Sequence, residues 1–184
     1  MYNNTVNLVI NELELALNSI SDERTKEFIN ILNSSDEIFF VGVGRVLLSL
    51  QAFAKRLAHL GYKTHIVGEI TEPAIKKGDV LIVGSGSGES LFPKLIAQKA
   101  KSFGAKVVLI GSNKESSIAK LSDLMVRVPT NTKLQLADEI KSEQIMTSLF
   151  EQFLLLYGDI ISKMIVDEKK IDIASLWQYH ANLE

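Results

Sequence analysis

The stretch 80-VLIVGSGSGES-90 decides the fold. Val80 to Val83 is an unbroken apolar run, and Gly84 to Ser90 contains only glycine, serine and one glutamate. A strand covered by protein on both faces reads as a continuous apolar segment rather than an alternating one. A loop of glycine and serine has little side chain to bury, so its chemistry resides in backbone N–H groups and hydroxyls.

Working outward, the same grammar recurs. EIFFVG (37 to 42), KTHIVG (63 to 68), AKVVLIGS (105 to 112) and DLMVRVP (123 to 129) are short apolar runs that stop at glycine or proline. Helical spacing is found at 46 to 60, 90 to 103 and 115 to 121, and at residues 3 to 20 before the first strand. Ser21 or Asp22 is placed to cap a second helix running through Phe28 and Ile31. Strand and helix alternating across short joints predict an α/β domain, a parallel sheet layered by helices on both faces. Only EITEPAIKKG (69 to 78) lacks helical character. Beyond Ser142 a long helix is expected to about Ile165, with Met146, Leu149, Phe150, Phe153, Leu156, Tyr157, Ile160 and Met164 on one stripe and Leu155 opposite. So broad an apolar surface predicts a second partner, either the domain centre or another copy of the chain, and the short chain favours the copy.

With 184 residues, 46% of them hydrophobic, the chain fits one domain spanning 1 to 184. Twenty basic against 22 acidic residues leave no positive excess for a nucleic-acid backbone. Cysteine is absent, and His59, His65 and His180 are too far apart in sequence for a local metal motif, so no metal or cofactor is expected. The N-terminus lacks the uninterrupted apolar core of a secretory signal, and no run approaches the ~18 residues of a membrane span. A cytoplasmic protein without membrane or nucleic-acid partners is the expectation.

Parallel sheets bind ligands at the carboxyl ends of their strands. There the free N–H groups of GSGSGES, with the hydroxyls of Ser85, Ser87 and Ser90, form a cradle for one phosphate. Gly42-Val43-Gly44-Arg45 ends the first strand and opens a second loop on the same edge. No lysine follows the glycines, which excludes a Walker loop. A dinucleotide site at GVGRVL, with Glu69 after the next strand, lacks its third glycine and leaves the serine loop without a role. A tight turn with a capping serine accounts for one such loop, whereas two on one edge favour phosphate.

Ser85-Gly86-Ser87-Gly88-Glu89-Ser90 resembles the phosphosugar loop of the sugar isomerase (SIS) domains. Gly42-x-Gly44-Arg45, Arg56-Leu57-Ala58-His59-Leu60-Gly61, Gly68-Glu69 with Thr71-Glu72-Pro73-Ala74-Ile75, Ser148-Leu149-Phe150-Glu151-Gln152 and the ending His180-Ala181-Asn182-Leu183-Glu184 are similar to the 6-phospho-3-hexuloisomerases. The resemblance spans nearly the whole chain. It implies a five-stranded parallel sheet flanked by helices, a three-layer flavodoxin-like arrangement, and interconversion of 3-hexulose 6-phosphate and fructose 6-phosphate through an enediol without a metal. It also implies a homo-oligomer, with a tetramer favoured.

Such a reaction needs a base at the carbon beside the carbonyl and a group that moves protons between oxygens. Glu151, set among Phe150, Leu154 and Leu155, is the candidate base, and the family match tips that choice over a solvated helix glutamate. His59, off its helix's apolar stripe, is the candidate shuttle, because a neutral imidazole donates at one nitrogen and accepts at the other. The resemblance implies that it serves a neighbouring subunit's site. Gly44, Arg45, Ser85, Gly86, Ser87 and Ser90 are the candidate phosphate and substrate contacts, with Arg45 able to fork onto an anion. Glu89 is expected to order the loop, since a carboxylate beside phosphate repels it. His65 has no assigned role, and His180 belongs to the terminal motif.

Two positions depart from the family pattern. Val46 stands where serine is usual, removing a donor to phosphate unless Ser49 or a water substitutes. Ile145 stands where proline is common, which is expected to let the long helix begin earlier.

Overall fold

In the computed structural model, which describes residues 1–183, all five expected strands form: β1 Ile38–Val41, β2 Thr64–Ile66, β3 Val80–Gly84, β4 Lys106–Gly111 and β5 Leu124–Arg127. Glu184, the last residue of the terminal motif, lies outside the described residues. The strands make one parallel sheet in the order β2-β1-β3-β4-β5. The register carries a continuous apolar row, Ile66, Phe40, Ile82 and Val108, across four strands.

Helices α1 (Tyr2–Asn18), α2 (Asp22–Ser34), α3 (Arg45–His59), α4 (Leu91–Ser102), α5 (Ser117–Leu121) and α6 (Ser148–Lys169) cover the sheet. The two-residue period of the strands divides their side chains between two cores. Ile38, Phe40, Ile82 and Ile110 pack with Phe28, Leu50, Phe53, Leu149 and Phe153 from α2, α3 and α6. Phe39, Val41, Leu81, Val83 and Leu109 pack with Ala97 and Ala100 of α4 and Ile118 of α5. Each fully buried side chain of this kind contributes about 1.5–3 kcal/mol. The result is three layers, helix, sheet and helix.

The chain leaves β1 through α3, which packs on one face, and leaves β3 through α4, which packs on the other. Successive connections therefore part between β1 and β3, and the two glycine loops face each other across that opening. Ser21 caps α2 by accepting from the Arg24 amide, and residues 67 to 79 hold no helix, both as the sequence predicts.

The long helix differs from expectation. It starts at Ser148 and not shortly after Ser142, and the isoleucine at 145 does not lengthen it. Residues 142 to 144 are instead gathered by Glu12 of α1, whose carboxylate accepts from Ser142 Oγ (2.6 Å), the Glu143 amide (2.8 Å) and Gln144 Nε2 (3.0 Å). Met146 then takes a left-handed backbone (φ 56°), which a helix cannot continue through. At its other end α6 runs past Ile165 to Lys169. Its buried stripe is also rotated from the expected one: Leu154, Ile161 and Ile165 turn inward, while Met146, Leu156 and Ile160 are exposed. The helix packs against α3, α1 and α2, so most of its apolar surface is satisfied within the chain.

Candidate active site

The serine loop is rigidly built. Ser85 Oγ accepts from the Gly88 amide (3.1 Å) and lies 3.2 Å from Ser90 Oγ, and Ser87 Oγ accepts from the Glu89 amide (3.3 Å). Gly88 has φ +65°, and any Cβ there would run into Ser116, the capping residue of α5. Glycine is thus required both by backbone conformation and by the close approach of α5. Ser90 is the N-cap of α4, and among the described residues its side chain makes no cap bond to the first amides of that helix.

Ser85, Gly86, Ser87 and Ser90 line a cavity of about 230 Å³. Its other walls are Val43 and Val46 from the first glycine loop and α3, Asn131, Thr132 and Lys133 after β5, and Met146, Thr147 and Phe150 at the start of α6. Glu151 sits beside this cavity, one residue behind Phe150. It is buried, 8% exposed, and Thr147 Oγ1 donates to its Oε1 at 3.0 Å. Arg45 Nε donates to its Oε2, and Ser49 Oγ donates to its backbone carbonyl (2.8 Å). Gly44, with φ +60°, is the N-cap of α3 and so sets where Arg45 departs. Glu151 therefore meets Arg45 and flanks the serine loop, while Ser49 is committed to α6 and does not replace the serine missing at 46.

Glu89 turns away from the cavity. It accepts from the Ser117 amide (2.6 Å) and Ser117 Oγ (2.9 Å) at the start of α5, and Lys94 lies 3.4 Å away. The Ser117 hydrogen bonds hold its carboxyl below the usual range. It orders the loop, as expected.

His59 lies elsewhere in the chain. Arg45 and His59 are the two ends of α3, whose 15 residues span about 22 Å at 1.5 Å per residue. There the His59 ring stacks on His180 at 5.8 Å, and Trp177 packs on His180 from the 3-10 segment Ile173–Tyr179. Among the described residues His59 Nε2 is buried without a hydrogen-bond partner. Burial, then the cations Lys55 and Arg56 and the His180 ring, push its pKa below the usual value. His65, in the middle of β2, pairs with Glu37, the residue before β1 (2.7 Å).

The sequence reasoning missed Asn131, Thr132, Lys133 and Thr147. The signal was PTNTK, polar residues and one lysine after the fifth strand, on the same edge as both glycine loops. Two carboxylates shape that wall. Glu139 accepts from Ser112 Oγ, Thr132 Oγ1, the Thr132 amide and the Leu136 amide, and Glu12 holds residues 142 to 144 as described. Among the described residues no three histidine, aspartate or glutamate side chains gather as a metal centre would need, and no helix is long and apolar enough to cross a membrane.

The sequence pattern of the SIS domain matches residues 31–156. A 3-hexulose-6-phosphate isomerase of Bacillus subtilis (strain 168) is 42% identical over 176 residues, covering 96% of this chain and 95% of that one. One from Mycobacterium gastri is 33% identical over 181 residues, covering 98% and 90%. Among solved structures, a protein from Methanococcus jannaschii for which a 3-hexulose-6-phosphate isomerase function was inferred superposes with a TM-score of 0.85 at 27% identity, covering 98% of this chain and 99% of that one. With the parallel sheet, the parted glycine loops and the buried glutamate beside them, these likenesses lead to one conclusion: the chain belongs to the SIS domain family and, within it, to the group of the 3-hexulose-6-phosphate isomerases.

Proposed function

We propose that the protein interconverts 3-hexulose 6-phosphate and fructose 6-phosphate, with Glu151 as the base. The observation that carries this reading is a buried carboxylate beside the serine-lined cavity, held at both oxygens by Arg45 and Thr147. Both partners donate to Glu151, which fixes the carboxylate in place as a proton acceptor. Starting from the 3-ketose, Glu151 takes the proton on C2, the electrons of that bond form the C2–C3 double bond of the enediol, and the carbonyl oxygen on C3 gains a proton. Return of a proton to C3 and loss of one from the C2 oxygen give the 2-ketose. The hydroxyls of Ser85, Ser87 and Ser90 and the amides of Gly86, Ser87 and Ser90 hold the phosphate, which anchors the carbon chain before the base.

The second proton carrier is His59, acting in the cavity of a neighbouring copy. Its separation from Glu151 within one chain and its unpartnered Nε2 support this arrangement, as do the exposed apolar residues Val43, Leu48, Leu91, Phe92 and Met146 on the elements around the cavity mouth. The assembly is a homo-oligomer, a tetramer by resemblance to the family, with a cytoplasmic place in a ribulose monophosphate route.

Incubation with fructose 6-phosphate in heavy water tests the reading. The enzyme exchanges the C3 proton for deuterium. A phosphosugar-binding module without turnover binds the ester and leaves that proton in place, and this outcome would replace the isomerase with a sensor.

A further inference from the structure

The cavity is short of positive charge. A phosphate monoester carries a charge of about −1.5 to −2 at pH 7. Of the residues lining the cavity, none is acidic and one is cationic, Lys133. The sequence offers Arg45 to the phosphate or to a substrate hydroxyl, yet Arg45 is bound to Glu151 and is not among the lining residues. Among the described residues the Lys133 ammonium makes no hydrogen bond or ion pair.

The turn that carries Lys133 is fixed from beneath. Thr132 is buried, its hydroxyl donates to Glu139 and accepts from the Leu134 amide (3.1 Å), and its own amide is held by the same carboxylate (3.0 Å). That hydroxyl has no donor left for a ligand. Across the cavity floor a Cβ on Gly86 would come within 3.2 Å of Thr132 Cγ2, so the serine loop and the Lys133 turn are in close contact. Lys133 therefore lines the same pocket as Ser85, Ser87 and Ser90, on a turn tied to the start of α6 by Asn131 Nδ2 donating to the Met146 carbonyl (3.2 Å).

We propose that Lys133 is the cation that binds the substrate's phosphate, and that Arg45 instead orients Glu151. This rests on the isomerase reading above and deepens it by dividing the two cations between the two ends of the substrate. Lys133 supplies a point charge at the phosphate, and the guanidinium stays on the base at the reacting carbons.

Calorimetric titration of the full chain with inorganic phosphate and with fructose 6-phosphate tests the division. Lys133→Met is expected to weaken both on the order of tenfold or more, and Lys133→Arg to recover most of the loss. Arg45→Met is expected to hold phosphate affinity within about twofold while slowing deuterium exchange at C3. Because Lys133 is exposed, its variants keep the fold. If Lys133→Met binds phosphate as the unaltered protein does, Lys133 has no such role. If Arg45→Met loses phosphate, the assignment of the two cations is reversed. If the unaltered protein binds neither phosphate nor the sugar ester, the isomerase reading itself fails, a different outcome from either of these.

Discussion

Arg45, in the first turn of α3, donates through Nε to the carboxylate of Glu151 on α6, joining residues 106 positions apart. The carboxylate is buried while the arginine side chain remains 68% exposed. The guanidinium thus comes from the solvent side and closes over one carboxylate oxygen, with Thr147 fixing the other.

Glu151→Gln preserves size and burial but removes the proton acceptor. Exchange at C3 of fructose 6-phosphate should fall by about 10²–10⁴-fold, with affinity for the ester changed only a few-fold. Proton NMR in heavy water and calorimetry on one preparation check both. A variant retaining full exchange would assign the base elsewhere.

A cross-subunit role for His59 has a direct genetic signature. Glu151→Gln and His59→Gln should each be inactive alone. Unfolding them together and refolding the mixture should restore activity, because some sites then pair an intact glutamate with an intact histidine. Absence of recovery, or a monomer by sedimentation, would confine His59 to its own chain.

The depressed pKa of His59 makes stability depend on pH in one direction. The folded state favours the neutral ring, so between the folded pKa and the usual 6.5 the unfolded chain binds more protons. The stabilising contribution is complete above about pH 6.5 and is lost as pH falls through the folded value. The groups facing the ring are Lys55, Arg56 and His180, and none of them is acidic. Chemical denaturation from pH 7.5 down to 5 should show this decline in the unaltered protein and less of it in His59→Gln.

Glu12 stabilises the wall preceding α6. Burial raises its pKa, but the hydrogen bonds from Ser142, the Glu143 amide and Gln144 outweigh it and leave the net value lowered. Its contribution is present above about pH 4.5 and is lost as pH falls through the folded value. Glu12→Ala should cost about 3 kcal/mol by leaving those donors unpaired, a fall in Tm of roughly 6–12 °C for a chain of this length. Calorimetric melting at pH 7 measures it.

Val46→Ser should act on binding and stability in opposite directions. Val46 lines the cavity, and its Cγ1 would lie 2.8 Å from a Cβ on Gly84, so it packs α3 tightly onto the end of β3. Serine there adds a donor to a charged ligand, worth about 1.5–3 kcal/mol, and removes two methyl groups, costing roughly 1 kcal/mol of packing or slightly more. Phosphate-ester affinity should rise on the order of tenfold while Tm falls by a few degrees. Unchanged affinity would mean that position 46 faces the floor alone.

The sheet, its helices and the serine loop were legible because their signals are local. Unbroken apolar runs, helical spacing and glycines at strand ends are properties of neighbouring residues, whereas the strand order that parts the chain between β1 and β3 is not. Glu151 was chosen by family likeness; its burial follows from its apolar neighbours, but its partners do not. The start of α6 was misjudged because Glu12, 130 residues away, captures residues 142 to 144, and no spacing along the chain reports a hydrogen bond of that reach. The stripe on α6 was misjudged for the same reason, since its rotation depends on α3, α1 and α2.

Sequence by itself thus determined which segments become strands and helices, and where a loop of bare amides must lie, because these depend on residues a few positions apart. Tertiary structure alone decided that Arg45 meets Glu151 and that Lys133 borders the serine loop. Those relations are distances between side chains remote in sequence, and only packing of α3 and α6 over the shared sheet fixes them.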